Sequence, residues 1–276
     1  MAPAILLLVS AHAWAADPAF EGAQKPGSIP MEPVTTLFAE FGGAWVSGNT
    51  VAYTLNGAAR GAHRWKYNQV SARLGAMVGR AVADTDGNGH LSDDERTAGE
   101  AETARRYEGE VRYDRFLSRK DSLYVLSGAF ADRFAGYDWQ VHGQLGVSHA
   151  FVQMKTAAFY GEIGVDVARE DFIEGADPNA QNVISPRLLI GGGYAFNPAV
   201  RIDDQVELLE NLLQRDDIRV RETASLTAAL TTKLSIRVSY TLAFDNVPVK
   251  GPLPGTRDDF EPIDQSTVVS FVASLL

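Results

Sequence analysis

Asp84-Thr85-Asp86-Gly87-Asn88-Gly89-His90-Leu91-Ser92-Asp93-Asp94-Glu95 fits the spacing D-x-[DN]-x-[DN]-G-x5-E at every defined position. A hard cation with six to eight oxygen ligands needs a chain that wraps it. Asp84, Asp86 and Asn88 supply side-chain oxygens from one side, and Gly89 permits the sharp turn. The backbone carbonyl of His90 then points inward while its imidazole points away, Ser92 acts directly or through a water, and Glu95 closes the sphere with both carboxylate oxygens. The expected ligand set is therefore Asp84, Asp86, Asn88, His90, Ser92 and Glu95, and the expected ion is Ca2+. Ser92 and Glu95 also stand as N-cap and N3 of a helix expected within Asp93 to Arg105. Arg73 to Val82 reads as a strand, so the entering helix of an EF-hand is missing. The loop resembles an extracellular calcium module, for which affinities on the order of 10⁻⁴ to 10⁻³ M are usual. An acidic solvated turn, in which Asp and Gly serve turn geometry alone, is the plainer alternative.

The elements that must carry this loop show a period of two. Leu234, Ile236, Val238, Tyr240, Leu242 and Phe244 alternate with Ser235, Arg237, Ser239, Thr241 and Ala243, long enough to cross a bilayer at a barrel tilt. Similar runs are Phe159, Gly161, Ile163, Val165 and Val167 against Glu162 and Asp166, and Leu188 to Phe196 at every second position. Strands are expected over about 37–48, 50–61, 64–80, 104–118, 121–134, 137–151, 155–170, 184–196, 199–212, 217–230, 233–247 and 265–276. Connections after even-numbered strands are short: Ala62-His63, Arg119-Lys120, Val152 to Met154, Asn197-Pro198 and Thr231-Thr232. The long ones, Asp84 to Thr103, Asp171 to Val183 and Pro248 to Asp264, all follow odd-numbered strands. That parity is the signature of an all-β, closed, antiparallel up-and-down transmembrane β-barrel of about 12 strands, with long loops facing outward. The EF-hand-like loop and a short helix are inserted between strands 3 and 4.

Glu108, Glu110, Arg112 and Asp114 on strand four, Arg201, Asp203 and Glu207 on strand nine, and Arg219 and Arg221 on strand ten would then line a lumen, pairing between neighbouring strands. Aromatic residues gather near strand ends: Trp65, Tyr67, Phe116, Phe134, Tyr137, Trp139, Phe151, Phe159, Tyr194, Phe196 and Phe244. Such rings favour a bilayer interface. A soluble β-barrel or sandwich binding protein would show the same alternation, with the charges facing water.

The formal charge of −10 and pI near 5.0 argue against nucleic acid as a partner and favour cations. No cysteine is present, which excludes disulfides and thiolate chemistry. Residues 1–15, with the apolar run Ile5 to Val9 and the A-x-A pattern Ala13-Trp14-Ala15, read as a signal peptide. Residues 16–36, rich in proline, read as a periplasmic leader; 37–276 form the barrel, with 81–103 as the calcium-binding insertion.

Val46-Ser47-Gly48-Asn49, Tyr113-Asp114-Arg115-Phe116-Leu117-Ser118 before Lys120-Asp121, and Asp132-Arg133-Phe134-Ala135-Gly136-Tyr137-Asp138 resemble the bacterial salt-induced outer-membrane protein family, a family of unknown function. The similarity runs from about Phe38 to the C-terminus and is most specific between Tyr113 and Gly146. It implies an outer-membrane β-barrel delivered through the periplasm, with outer-membrane lipid and the barrel-assembly machinery as partners, and it brings no catalytic residues.

A calcium-dependent lipid hydrolase on such a barrel would need a nucleophile and a base in hydrogen-bond reach. Ser148 and His149 are adjacent on a strand and face opposite ways, while His142 and Ser148 share a face about 20 Å apart. No catalytic residue is assigned. A small-solute channel is the other alternative, since twelve strands enclose a narrow lumen that charges could line or plug.

Overall fold

The computed structural model describes residues 32–47, 51–82, 91–176, 178–250 and 260–276. Twelve strands close into one antiparallel barrel: β1 (Val34–Val46), β2 (Ala52–Trp65), β3 (Asn68–Val82), β4 (Glu100–Phe116), β5 (Asp121–Asp132), β6 (Tyr137–Gln153), β7 (Ala157–Phe172), β8 (Ala180–Ala195), β9 (Val200–Glu210), β10 (Ile218–Ala229), β11 (Leu234–Asp245) and β12 (Ile263–Ser274). Each strand pairs with the next in sequence, and β12 returns to β1. The strands hold between 11 and 17 residues, and at about 3.3 Å rise and a tilt near 40° even the shorter ones approach the height of a hydrocarbon layer. A short helix, α1 (Asp93–Ala98), lies between β3 and β4.

The two faces have the polarity of a membrane barrel, which is the reverse of a soluble one. Leu145, Ile163, Val165, Val111, Val125 and Val269 lie on the outer surface, with Leu145 61 % exposed. Glu162, Arg112, Asp114, Glu170 and Arg187 are buried in the lumen, with Glu162 only 1 % exposed. In water this arrangement would expose the apolar side of every strand while charges filled the interior, against the hydrophobic effect. Surrounded by hydrocarbon, the same alternation is favourable on both faces.

Exposed aromatic rings gather at the end that carries the short turns, while Trp45 and Trp139 stand exposed at the long-loop end. Phe151 and Phe159 meet at 5.3 Å and Tyr194 and Phe196 at 5.2 Å, all exposed together with Tyr67. Tyr137 belongs elsewhere: it packs between Phe130 and Phe172, near the long-loop end.

Several boundaries differ from the expectation. Ala62 and His63 lie inside β2, and the turn falls at Lys66-Tyr67, where Lys66 takes φ 44°. That turn lacks the Gly, Asn, Asp or Pro that would mark it in a sequence. Val152 remains in β6, so the next turn is 154–156. The expected leader ended at 36, but β1 already begins at Val34. The connection after β7 spans only 173–179, because Ala180–Val183 extend β8. The helix expected within Asp93 to Arg105 stops at Ala98, since Glu100 joins the ladder to β3 and backbone pairing takes over. The insertion thus shortens from 81–103 to 83–99. Residues 1–15 and most of the expected leader lie outside the described residues.

Leu145 sits midway along β6 beside Val125 and Val165. Leu145→Arg is expected to lower folding stability in phospholipid vesicles by about 2–4 kcal/mol, the cost of a cation at the bilayer midplane. Urea titration of vesicle-inserted protein measures it, and an unchanged midpoint would place this face in water.

Candidate functional site

Of the expected cation ligands, Asp84, Asp86, Asn88 and His90 lie outside the described residues. Ser92 and Glu95 are described and form the expected capping box at the start of α1. Ser92 N and Ser92 Oγ each donate to Glu95 Oε2 at 2.9 Å, and Glu95 N donates to Ser92 Oγ at 3.3 Å. This reciprocal pairing satisfies backbone donors that a helix start leaves open, and it fixes a buried Glu95 at the mouth of the loop. Among the described residues no group of three or more His, Asp or Glu side chains has metal-holding geometry.

The larger polar site is the lumen. At its centre Arg112 on β4 donates through Nη1 and Nη2 to the Glu162 carboxylate on β7, at 3.2 and 2.8 Å. Its Nε and Nη2 also grip Asp114 at 2.9 and 2.8 Å. Arg187 on β8 donates to Glu162 at 2.7 Å, to Tyr124 Oη at 2.9 Å and to Glu207 at 2.5 Å. The Tyr124 ring lies 4.2 Å beneath the Arg112 guanidinium, a favourable cation–π arrangement. Gly146 and Gly164, paired on β6 and β7, make room for that ring: a Cβ on either would stand 2.6–2.7 Å from the Tyr124 hydroxyl.

Two further networks lie above and below. Towards the long-loop end Arg106 bridges Glu108 and Asp132 at 3.0 and 3.1 Å, while Arg219 on β10 reaches Glu170 on β7 and Asp217. Towards the short-turn end Arg237 on β11 holds Glu40 on β1 at 2.7 Å, with Arg60 at 3.6 Å. The expectation was pairing between neighbouring strands. Neighbouring strands do pair, as Arg73 with Glu108, Arg106 with Asp132 and Arg187 with Glu162 and Glu207, and beyond that expectation Arg112 to Glu162 passes over β5 and β6, and Arg219 to Glu170 passes over β8 and β9. Pairs of this kind are chords across the lumen. Long side chains in a narrow ring can reach across it as well as to the strand beside them. Between the central and outer networks lies a cavity of about 170 Å³, bordered by Gln144, Asp166, Glu207, Arg221, Phe244 and Asp264 among others.

Sequence reasoning identified Glu108, Arg112, Asp114, Asp203 and Arg219 as lumen residues. It missed Arg187, which pairs with Glu162 and Glu207, Glu170, which pairs with Arg219, and Glu40, which pairs with Arg237. Glu162, Asp166 and Glu170 recur at every fourth position of β7, and that spacing was the signal available.

No hydrolytic relay forms among the described residues. Ser148 is buried in the lumen, while His149 lies half exposed with its Nδ1 2.6 Å from Asp121 Oδ1. Ser118 Oγ donates to the other Asp121 oxygen, so a carboxylate stands between hydroxyl and imidazole where a triad needs the imidazole in the middle. His142 pairs with Asp166 at 3.2 Å.

Fold and lumen together define a closed twelve-stranded barrel of the outer-membrane kind. The chain belongs to the family described as "Protein of unknown function, DUF481", whose profile matches residues 39–272. No curated protein matches it. Among solved structures it is similar to the translocator domain of the autotransporter NalP from Neisseria meningitidis, with 12 % identity, 94 % of this chain and 93 % of that one covered, and a TM-score of 0.45. It is also similar to the toluene transporter TodX of Pseudomonas putida, at 9 % identity, 89 % of each chain and a TM-score of 0.41. A third is the anion-selective porin of Comamonas acidovorans, at 8 % identity, 88 % and 100 % coverage and a TM-score of 0.37.

Removing the carboxylate shared by two buried guanidinium groups leaves charge without compensation. Glu162→Ala is expected to cost on the order of 3–5 kcal/mol of stability, read as an earlier urea midpoint with the barrel's far-ultraviolet signature retained before the transition. A loss below about 1 kcal/mol, the range of solvated pairs, would show that water already screens the lumen.

Proposed function

We propose that this protein is a non-enzymatic barrel of the bacterial outer membrane whose β3–β4 connection binds calcium on the extracellular side, and that it serves the envelope's response to ionic conditions, as its resemblance to salt-induced proteins suggests. The observation that carries the membrane reading is the inverted polarity, with Leu145 outward and Glu162 sealed inside. Placing the short turns in the periplasm sends the β3–β4, β7–β8 and β11–β12 connections outward. The signal peptide over residues 1–15 and the assembly machinery would supply the route.

The calcium reading rests on the complete D-x-[DN]-x-[DN]-G-x5-E spacing and on the capping box that holds Glu95 three residues beyond Ser92. Asp84, Asp86, Asn88, the His90 carbonyl, Ser92 and Glu95 would hold the ion. Clustered carboxylates repel one another until a cation neutralises them, so external calcium would order the insertion. The barrel would carry it on two rigid strands.

A small-solute channel is the second reading, favoured by the cavity at the long-loop end. The ion pairs of Arg112, Glu162 and Arg187 favour a closed lumen below it.

Isothermal titration of the detergent-folded protein is expected to show one calcium site, on the order of 10⁻⁴ to 10⁻³ M, that Glu95→Ala abolishes while the barrel stays folded. Unchanged calcium heat in that variant would remove the site.

A further inference from the structure

Asp166 and Asp264 both border the cavity at the long-loop end, and neither has an arginine or lysine within ion-pair distance among the described residues. Asp166 on β7 is 4 % exposed, and its ion-pair partner is the His142 imidazole on β6 alone. Its Oδ2 accepts from Gln144 Nε2 at 2.9 Å and meets His142 Nδ1 at 3.2 Å, while its Oδ1 takes no hydrogen bond among the described residues. Asp264 on β12 has neither a hydrogen bond nor an ion pair among them. Arg106, Arg221 and Asp132 act on it through space, and Arg106 is itself paired with Asp132 and Glu108. The other arginines of the cavity are shared out in the same way. Arg187 is divided between Glu162 and Glu207, and Arg219 between Glu170, Asp217 and Asp245. Carboxylate charge is therefore in excess around this space, and a buried charge without a counter-ion is costly.

A second observation points the same way. Gln144 is 7 % exposed and borders the same cavity, and it must turn its amide N–H towards Asp166 because a carboxylate only accepts. Gln144 Oε1 is thereby left buried without a hydrogen bond. An acceptor stranded in this way calls for a donor. Gln140, two places along β6, is turned alike by Glu170, to which its Nε2 donates at 2.7 Å. β7 and β12 stand five strands apart in a ring of twelve, so Asp166 and Asp264 come from facing walls. Leu126, Leu189 and Phe244 add apolar surface to the same space.

We propose that this cavity binds a linear aliphatic diamine, with one ammonium on Asp166 Oδ1 and Gln144 Oε1, the other on Asp264, and the methylene stem against Leu126, Leu189 and Phe244. An ammonium brings three donors and no acceptor, which matches an open carboxylate oxygen beside a stranded amide oxygen. Two charged ends match two carboxylates on facing walls. A divalent metal ion does not, since no three His, Asp or Glu side chains among the described residues have metal-holding geometry. The site uses none of the six calcium ligands and rests only on the folded barrel.

Isothermal titration of the protein, folded in a nonionic detergent, with α,ω-diamines from diaminopropane to diaminooctane tests this. Affinity is expected to peak at one chain length, where the matching monoamine binds about tenfold or more weakly for want of one charge-assisted contact. Asp264→Asn is expected to bring the diamine down to the monoamine's level, and Gln144→Met to weaken both, with heat-modifiable gel mobility retained. Glu95→Ala is expected to leave the whole series unchanged. No diamine binding, affinity independent of chain length, a monoamine equal to its diamine, or an unchanged series in Asp264→Asn overturns the site. A series lost in Glu95→Ala overturns it too, by moving the amine to the outer loop. Should a variant fail to fold, the comparison of diamine with monoamine on the unaltered protein still decides. Absence of heat-modifiable mobility in the unaltered protein would overturn both the site and the barrel beneath it.

Discussion

Backbone hydrogen bonding in a medium without water is the constraint on which this structure depends. A strand in hydrocarbon must give every N–H and C=O to a neighbour, and only a closed ring achieves that for all strands at once. The up-and-down order of β1 to β12 meets the requirement with the shortest connections. Closure then dictates the rest: alternate side chains have nowhere to go but hydrocarbon or lumen, and residue chemistry is sorted between the two.

The lumen shows what a narrow ring does with charge. Arg112, Glu162, Arg187 and Glu207 are linked into one chain of contacts running from β4 to β9. Buried ion pairs of this kind contribute little net stability over well-packed apolar groups, because desolvation offsets attraction. In the central network each carboxylate has a defined guanidinium partner, and a strand register slipped by one residue would turn those charges to the outer face. Tyr124, lying across Gly146 and Gly164, ties the central network to the barrel wall.

Much of the architecture was legible in the sequence because a period of two, combined with loop parity, leaves few alternatives. All twelve observed strands overlap the segments that alternation predicts, and Ser92 with Glu95 form the cap that their spacing implies. Legibility failed where local chemistry was silent. Lys66-Tyr67 make a turn without a turn-forming residue, and Ala180–Val183 join β8 because the edge of β7 is available to pair, a tertiary fact. The chords across the lumen were equally hidden, since which strands oppose each other depends on closure and tilt, not on adjacency in the chain. The four ligand positions from Asp84 to His90 rest on their spacing alone.

The account stands on lipid, and not water, surrounding the outer face. Its most direct test is the behaviour of the expressed chain in cell envelopes. It predicts that the protein stays with the outer-membrane fraction through an alkaline carbonate wash, leaves only with detergent, and migrates faster on a gel unheated than boiled. Recovery as a dissolved monomer without detergent, with the same mobility before and after boiling, would contradict it.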